Sequence, residues 1–130
     1  MAIRAYNPPG LFNGAPAGMS QVASASGRIV VVSGQVALDD QGKVVGVGDF
    51  EAQAVRVFEN LRTALAVAGA TFEDVIRLGS FITDPKNLAT LREVRMRYLK
   101  APFPASTGVV TALVLPELLL EVEAMAVVRE

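Results

Sequence analysis

Apolar residues recur in two different rhythms along the chain. From Phe50 to Ala68 they return at three- and four-residue intervals: Ala54, Val57, Phe58, Leu61, Leu65 and Ala68 make one continuous stripe. This spacing predicts an amphipathic helix. Asp49 stands where an N-cap is wanted and Gly69 where a helix stops. A second helix is predicted from about Lys86 to Lys100, with Leu88, Leu91, Val94 or Arg95, and Tyr98 near one face. Pro102 and Pro104 break the chain after it.

Elsewhere the rhythm is that of strands. Gln21–Ser26 and Arg28–Ser33 flank Gly27 and predict a tight hairpin. The run Ile29-Val30-Val31-Val32 is too apolar for a strand with one face in water. Val75–Thr83 is a third strand, ended by Asp84-Pro85. Thr107–Leu115 and Leu118–Val128 complete the set around Pro116-Glu117. The first nineteen residues, with Asn7-Pro8-Pro9-Gly10 and Asn13-Gly14-Ala15-Pro16-Ala17-Gly18, are a turn-rich approach segment. The order β-β-α-β-α-β-β predicts one mixed sheet with two helices on one face, in a single domain spanning residues 1–130. No third helix exists to cover the other face, so a partner subunit is expected there.

Composition sharpens this picture. The chain is 52% hydrophobic and 19% charged, which fits burial against another copy. Twelve basic residues balance 13 acidic ones, leaving no electrostatic footprint for nucleic acid. No apolar run is long enough for a membrane span, and no basic-then-apolar leader opens the chain, so cytoplasm is the expected compartment. Cys, His and Trp are absent. A typical zinc site, a thiolate nucleophile and a Ser-His-Asp relay are therefore excluded. Acid–base work falls to carboxylates, Lys, Tyr or bound water. Gly42, Gly46 and Gly48 lack the strand-to-helix setting of a phosphate loop.

Five segments, taken in order, resemble one family. They are Val31-Val32-Ser33-Gly34-Gln35-Val36; Gly48-Asp49-Phe50-Glu51-Ala52-Gln53-Ala54 with Phe58-Glu59-Asn60-Leu61; Ala68-Gly69-Ala70 with Asp74-Val75-Ile76-Arg77; Phe103-Pro104-Ala105-Ser106-Thr107; and Leu120-Glu121-Val122-Glu123-Ala124-Met125-Ala126. Together they are similar to the RidA (YjgF/YER057c/UK114) family across nearly the whole chain. The resemblance implies an α/β (α+β) chorismate-mutase-like fold, with three subunits packing their sheets into a central barrel. It implies small-molecule clefts between subunits and hydrolysis of enamine or imine intermediates to 2-keto acids and ammonia, without a cofactor. In such proteins an arginine after Pro-Ala clamps the substrate carboxylate, a bidentate task for which Lys is a poor substitute.

This chain departs at that clamp: Ser106 follows Pro104-Ala105, and the loop to Pro116 is one residue longer. Met19 stands in place of the family's N-terminal Tyr, and Thr107 alone represents the Cys or Thr near the signature. The resemblance makes Glu121 the candidate for orienting the attacking water. Ser33 and the Gly34 amide become candidates for binding the substrate's carboxylate or carbonyl, and Ser106-Thr107 for replacing the clamp. Arg92 aligns roughly with a family Asn near the pocket and could supply a relocated guanidinium, and Met19 would line the pocket. Built from Glu121, Ser33, Gly34 and Ser106-Thr107, without the clamp arginine, the site is neutral and suits a less anionic substrate than an imino acid.

Each candidate also has a plain structural reading. Ser33-Gly34 can end a strand, with Gly adopting an unusual backbone angle. Glu121 can be a solvated strand residue, Ser106 and Thr107 turn residues, and Arg92, Arg95 and Arg97 solvated helix charges. Met19 can be simple packing. A non-catalytic trimer that binds a metabolite or partner in the same cleft is the competing functional class. A ribonuclease-like or translation-inhibiting role, also described for the family, has little support in an acidic chain without His.

Overall fold

The computed structural model describes residues 3–130. The stripe read in the sequence becomes helix α1, Phe50–Val67, and the Asp49 side chain accepts a hydrogen bond from the Ala52 amide as its cap. Helix α2 is Leu88–Tyr98. It is preceded by a 3-10 turn, Pro85–Asn87, that the Asp84 side chain caps.

Three strands come before α1: β1 (Arg4–Tyr6), β2 (Val22–Ser24) and β3 (Arg28–Val36). Three follow it: β4 (Val75–Ile82), β5 (Ala105–Val110) and β6 (Leu120–Val128). The main sheet runs β3-β6-β4-β5. β6 is antiparallel to both its neighbours, and β5 lies parallel to β4 across the α2 crossover. Val30, Val32, Leu78, Ile82, Leu120, Val122, Ala124 and Ala126 point to one face of this sheet. They pack there against Ala54, Val57, Phe58, Leu61, Leu65, Leu91 and Val94 of the helices. Burying such side chains is worth about 1.5–3 kcal/mol each, which fixes the helices to that face.

Two expectations are corrected. The hairpin around Gly27 does not form: β2 pairs with β1 in a separate two-stranded sheet, and β3 pairs with β6. Gly27 (φ 147°) instead lets the chain pass close to the Val128 carbonyl, where a Cβ would collide. The strand expected over Thr107–Leu115 ends at Val110, and residues 111–119 form a connection. Gln53, fully buried on α1, holds that connection. Its Nε2 donates to the Glu117 carbonyl (2.9 Å) and its Oε1 accepts from the Leu119 amide (2.9 Å).

Among the described residues, no helix covers the second face of the sheet. Ile29 and Val31 are 65% and 71% exposed on it. The sequence-based reading of an apolar run with both faces covered thus holds, within one chain, for the helix side alone.

Candidate functional site

Strand alternation sorts the candidate residues onto opposite sides of the sheet. On the uncovered face, β3 bulges against β6 between Val32 and Gln35, and this irregularity contains Ser33 and Gly34. The Glu121 side chain lies directly over Gly34. A Cβ added there would stand 2.8 Å from the Glu121 carboxyl carbon and 3.0 Å from its Cγ. Gly34 has no positive φ. Glycine is therefore needed at this position for the close approach of the carboxylate, not for an unusual backbone angle.

The same arrangement repeats one step along β6, where Glu123 lies over Gly79 of β4. A Cβ at Gly79 would be 2.8 Å from Glu123 Oε2. Glu121 and Glu123, two residues apart on β6, thus share the uncovered face. Ser33 shares a shallow pocket with Arg77, Gly79 and Glu123. Thr107 pairs with Gly79 and so belongs to the same row.

Ser106 points the other way. It lines a cavity of about 210 Å³ on the helix side, at the β5 edge, together with Met19 and Arg92. Ser106 and Thr107, expected to act together, therefore face opposite sides. The half-buried Met19 reaches the cavity because Ser20 is tied to the Pro104 carbonyl (2.9 Å) and bridges to Ala105. Its side chain is packed against Gly14, where a Cβ would meet Met19 Cγ at 2.6 Å.

Two cavity residues were missed as ligand-facing groups: Ser80 of β4 and Arg95 of α2. They are 3% and 5% exposed. Arg95 Nη2 donates to the Ala17 carbonyl, while Arg95 Nε and Ser80 Oγ are buried without a hydrogen-bond partner among the described residues. Orphaned buried polar atoms of this kind are rare in native proteins. Burial, and then the charge of Arg92, push the Arg95 pKa below the ordinary arginine value. Among the described residues no carboxylate lines the cavity, and neither Arg92 nor Arg95 is in a salt bridge. By contrast, Arg97 on the same helix is paired with Glu51 and Glu93. The cavity is thus cationic rather than neutral. The neutral site expected from Glu121, Ser33, Gly34 and Ser106-Thr107 does not include Arg95, which is buried in the cavity wall rather than solvated. Among the described residues there is no cluster of His, Cys, Asp or Glu that could hold a metal, and no helix is long and apolar enough to cross a membrane.

Residues 13–128 match the family model described as endoribonuclease L-PSP. A RutC family protein of Pyrococcus abyssi is 31% identical over 111 residues, covering 85% of this chain and 87% of its own. Among solved structures, a Yersinia pestis protein of unknown function in the conserved Rid family, YyfB, superposes with a TM-score of 0.89. It is 39% identical, with 98% of this chain and 100% of that one covered. RidA from an Antarctic Psychrobacter superposes with a TM-score of 0.72 at 28% identity, covering 98% and 99%. The α+β fold, the five motifs in register and these matches agree: the chain belongs to the endoribonuclease L-PSP family, the RidA (YjgF/UK114) proteins.

Proposed function

We propose that this chain is a deaminase-type hydrolase of small imines or enamines, working without a cofactor as a homotrimer whose ligand clefts lie between copies. The observation that carries this reading is the division of the candidate residues. Glu121, Ser33 and Gly34 lie on the uncovered face, while Met19, Ser106 and Arg92 surround a cavity beyond the β5 edge. No rearrangement within one sheet brings the two sets together. A neighbouring copy laid on the uncovered face, where Ile29 and Val31 need a cover, would bring its own β5 edge to Glu121.

In such a cleft the water oxygen bonds to the imine carbon while the Glu121 carboxylate takes one water proton. The proton passes to the imine nitrogen, giving a carbinolamine. The C–N bond then breaks as the hydroxyl proton is transferred to the departing nitrogen, leaving a carbonyl and ammonia. One water is consumed and no oxidant is needed. The Gly34 amide, in the β3 bulge under Glu121, and Ser33 Oγ, next to it in the same bulge and beside Glu123, would hold the substrate's polar end.

The test generates the imine with an amino-acid oxidase and follows semicarbazone formation in competition with the protein. Wild type is expected to divert the imine, and Glu121→Gln to lose about 10²–10⁴-fold in rate while keeping its assembly state. Turnover unchanged in Glu121→Gln would remove Glu121 from the chemistry. No turnover of any imine by wild type would favour a non-catalytic trimer that binds a metabolite in the same cleft. RNA cleavage, suggested by the name of the matching family model, finds no supporting feature in a chain of net charge −1 without His.

A further inference from the structure

We propose that Arg95, with Ser80 beside it and Arg92 at the mouth, is the anion-recognising residue of the cavity, and that the ligand presents a carboxylate there. This deepens the functional reading above and rests on it for the idea that the cavity is half of a ligand site.

A buried guanidinium normally has a carboxylate or several carbonyls around it, because an unpaired charge away from water is costly. Arg95 has the Ala17 carbonyl alone among the described residues, and its Nε faces no acceptor. The Ser80 hydroxyl, on the adjacent strand wall of the same cavity, is equally orphaned. Arg92, exposed on the preceding turn of α2, adds a second positive charge at the opening. Two cations and two hydroxyls (Ser80, Ser106) converge here with no acid present, so the missing partner is an anion.

The remaining walls choose among anions. Ile82, Leu88, Leu91, Val109 and Val110 are apolar, and the space is about 210 Å³. A planar carboxylate on a short aliphatic body matches one guanidinium fork, one hydroxyl and an apolar enclosure. A phosphate would leave most of its oxygens against hydrocarbon. Arg95 thus does from helix α2 what an arginine at position 106 would do from the strand.

The experiment titrates the full chain by calorimetry with butyrate, with butyramide as its uncharged isostere, and with inorganic phosphate. Butyrate should bind saturably, and butyramide roughly tenfold to a hundredfold more weakly, the range that hydrogen bonds to charged groups carry. Arg95→Gln should bring butyrate down to the butyramide level. Arg95→Lys and Ser80→Ala, milder changes that keep the test available if Arg95→Gln does not fold, should each weaken butyrate more than butyramide. Equal binding of butyrate and butyramide, unchanged butyrate binding in all three variants, or a preference for phosphate would each overturn the proposal. Its failure is separable from that of the hydrolase reading. Butyrate held through Arg95 in a protein that hydrolyses no imine keeps this inference and sinks the other. Imine turnover without Arg95-dependent butyrate binding does the reverse.

Discussion

Gly34→Ala separates a catalytic Glu121 from a merely structural one. The new methyl would enter the space the Glu121 carboxyl occupies, 2.8 Å from its carboxyl carbon and 3.0 Å from its Cγ. The side chain must swing away, at a cost of about 0.5–1.5 kcal/mol for leaving its rotamer. Against this, replacing Gly where φ is not positive stabilises by about 0.4–1 kcal/mol through the unfolded chain. The two terms nearly cancel, so the urea midpoint should move little. Hydrolysis should not survive so well, since misplacing a reacting group by about 1 Å costs roughly a hundredfold. Gly79→Ala is the control, because it pushes Glu123 aside by the same geometry, with Cγ at 2.9 Å. The assay is imine competition alongside urea denaturation of both variants. The expected pattern is two proteins of near-wild-type stability, of which only Gly34→Ala has lost activity. Equal activities in the two would refute the assignment of Glu121, and a large loss of stability in Gly34→Ala would refute the cancellation.

Other perturbations have equally definite outcomes. Gln53→Leu strands the Glu117 carbonyl and the Leu119 amide just ahead of Glu121, so it should cost about 2–4 kcal/mol by urea denaturation and lower turnover as well. A loss below about 0.5 kcal/mol would show that water replaces the amide. The two tyrosines should ionise in separate steps by ultraviolet titration. Tyr6 is lowered by hydrogen bonds from Ser24 and Arg4, whereas Tyr98 is raised by burial and by its bond to Glu59. Because the folded pKa of Tyr98 lies above the unfolded value, its contribution to stability is complete below about pH 10 and is lost as pH rises through the folded pKa. Glu59→Gln should bring the later step down, and a single step in wild type would contradict both environments.

The helices were legible because their information is local. The three-four stripe of α1 and the Asp49 cap each depend on residues within a few turns. The pairing of β2 was not legible. A local hairpin and a long-range pair with β1 look alike in the sequence, and Gly27 serves a close approach to Val128 that only the tertiary fold creates. Alternation in Leu120-Glu121-Val122-Glu123 already places Glu121 and Glu123 on one face, as the structure does. It also contained the opposition of Ser106 and Thr107, a consequence of period two that their grouping as one clamp ignored. Arg95 was ambiguous with Val94 at the edge of the α2 stripe, and both are buried. A charged residue at an apolar stripe position was the available signal. Ser80 gave none, because a serine within a buried strand looks the same whether it packs or recognises.

The central claim, that two half-sites from different copies form one hydrolytic site, is tested most directly by mixing two inactive variants. Glu121→Gln lacks the carboxylate. Gly108→Leu fills the cavity, since a Cβ at Gly108 meets open space and its strand partner Ser80 lines the same walls. Both are first shown by sedimentation to assemble like wild type, then unfolded together in equal amounts and refolded. If each site takes Glu121 from one copy and the cavity from the next, random assembly should restore about a quarter of wild-type hydrolysis, because each neighbour has the needed half one time in two. Mixtures as inactive as either variant alone, from chains that co-assemble, would place both halves in one chain and contradict the account.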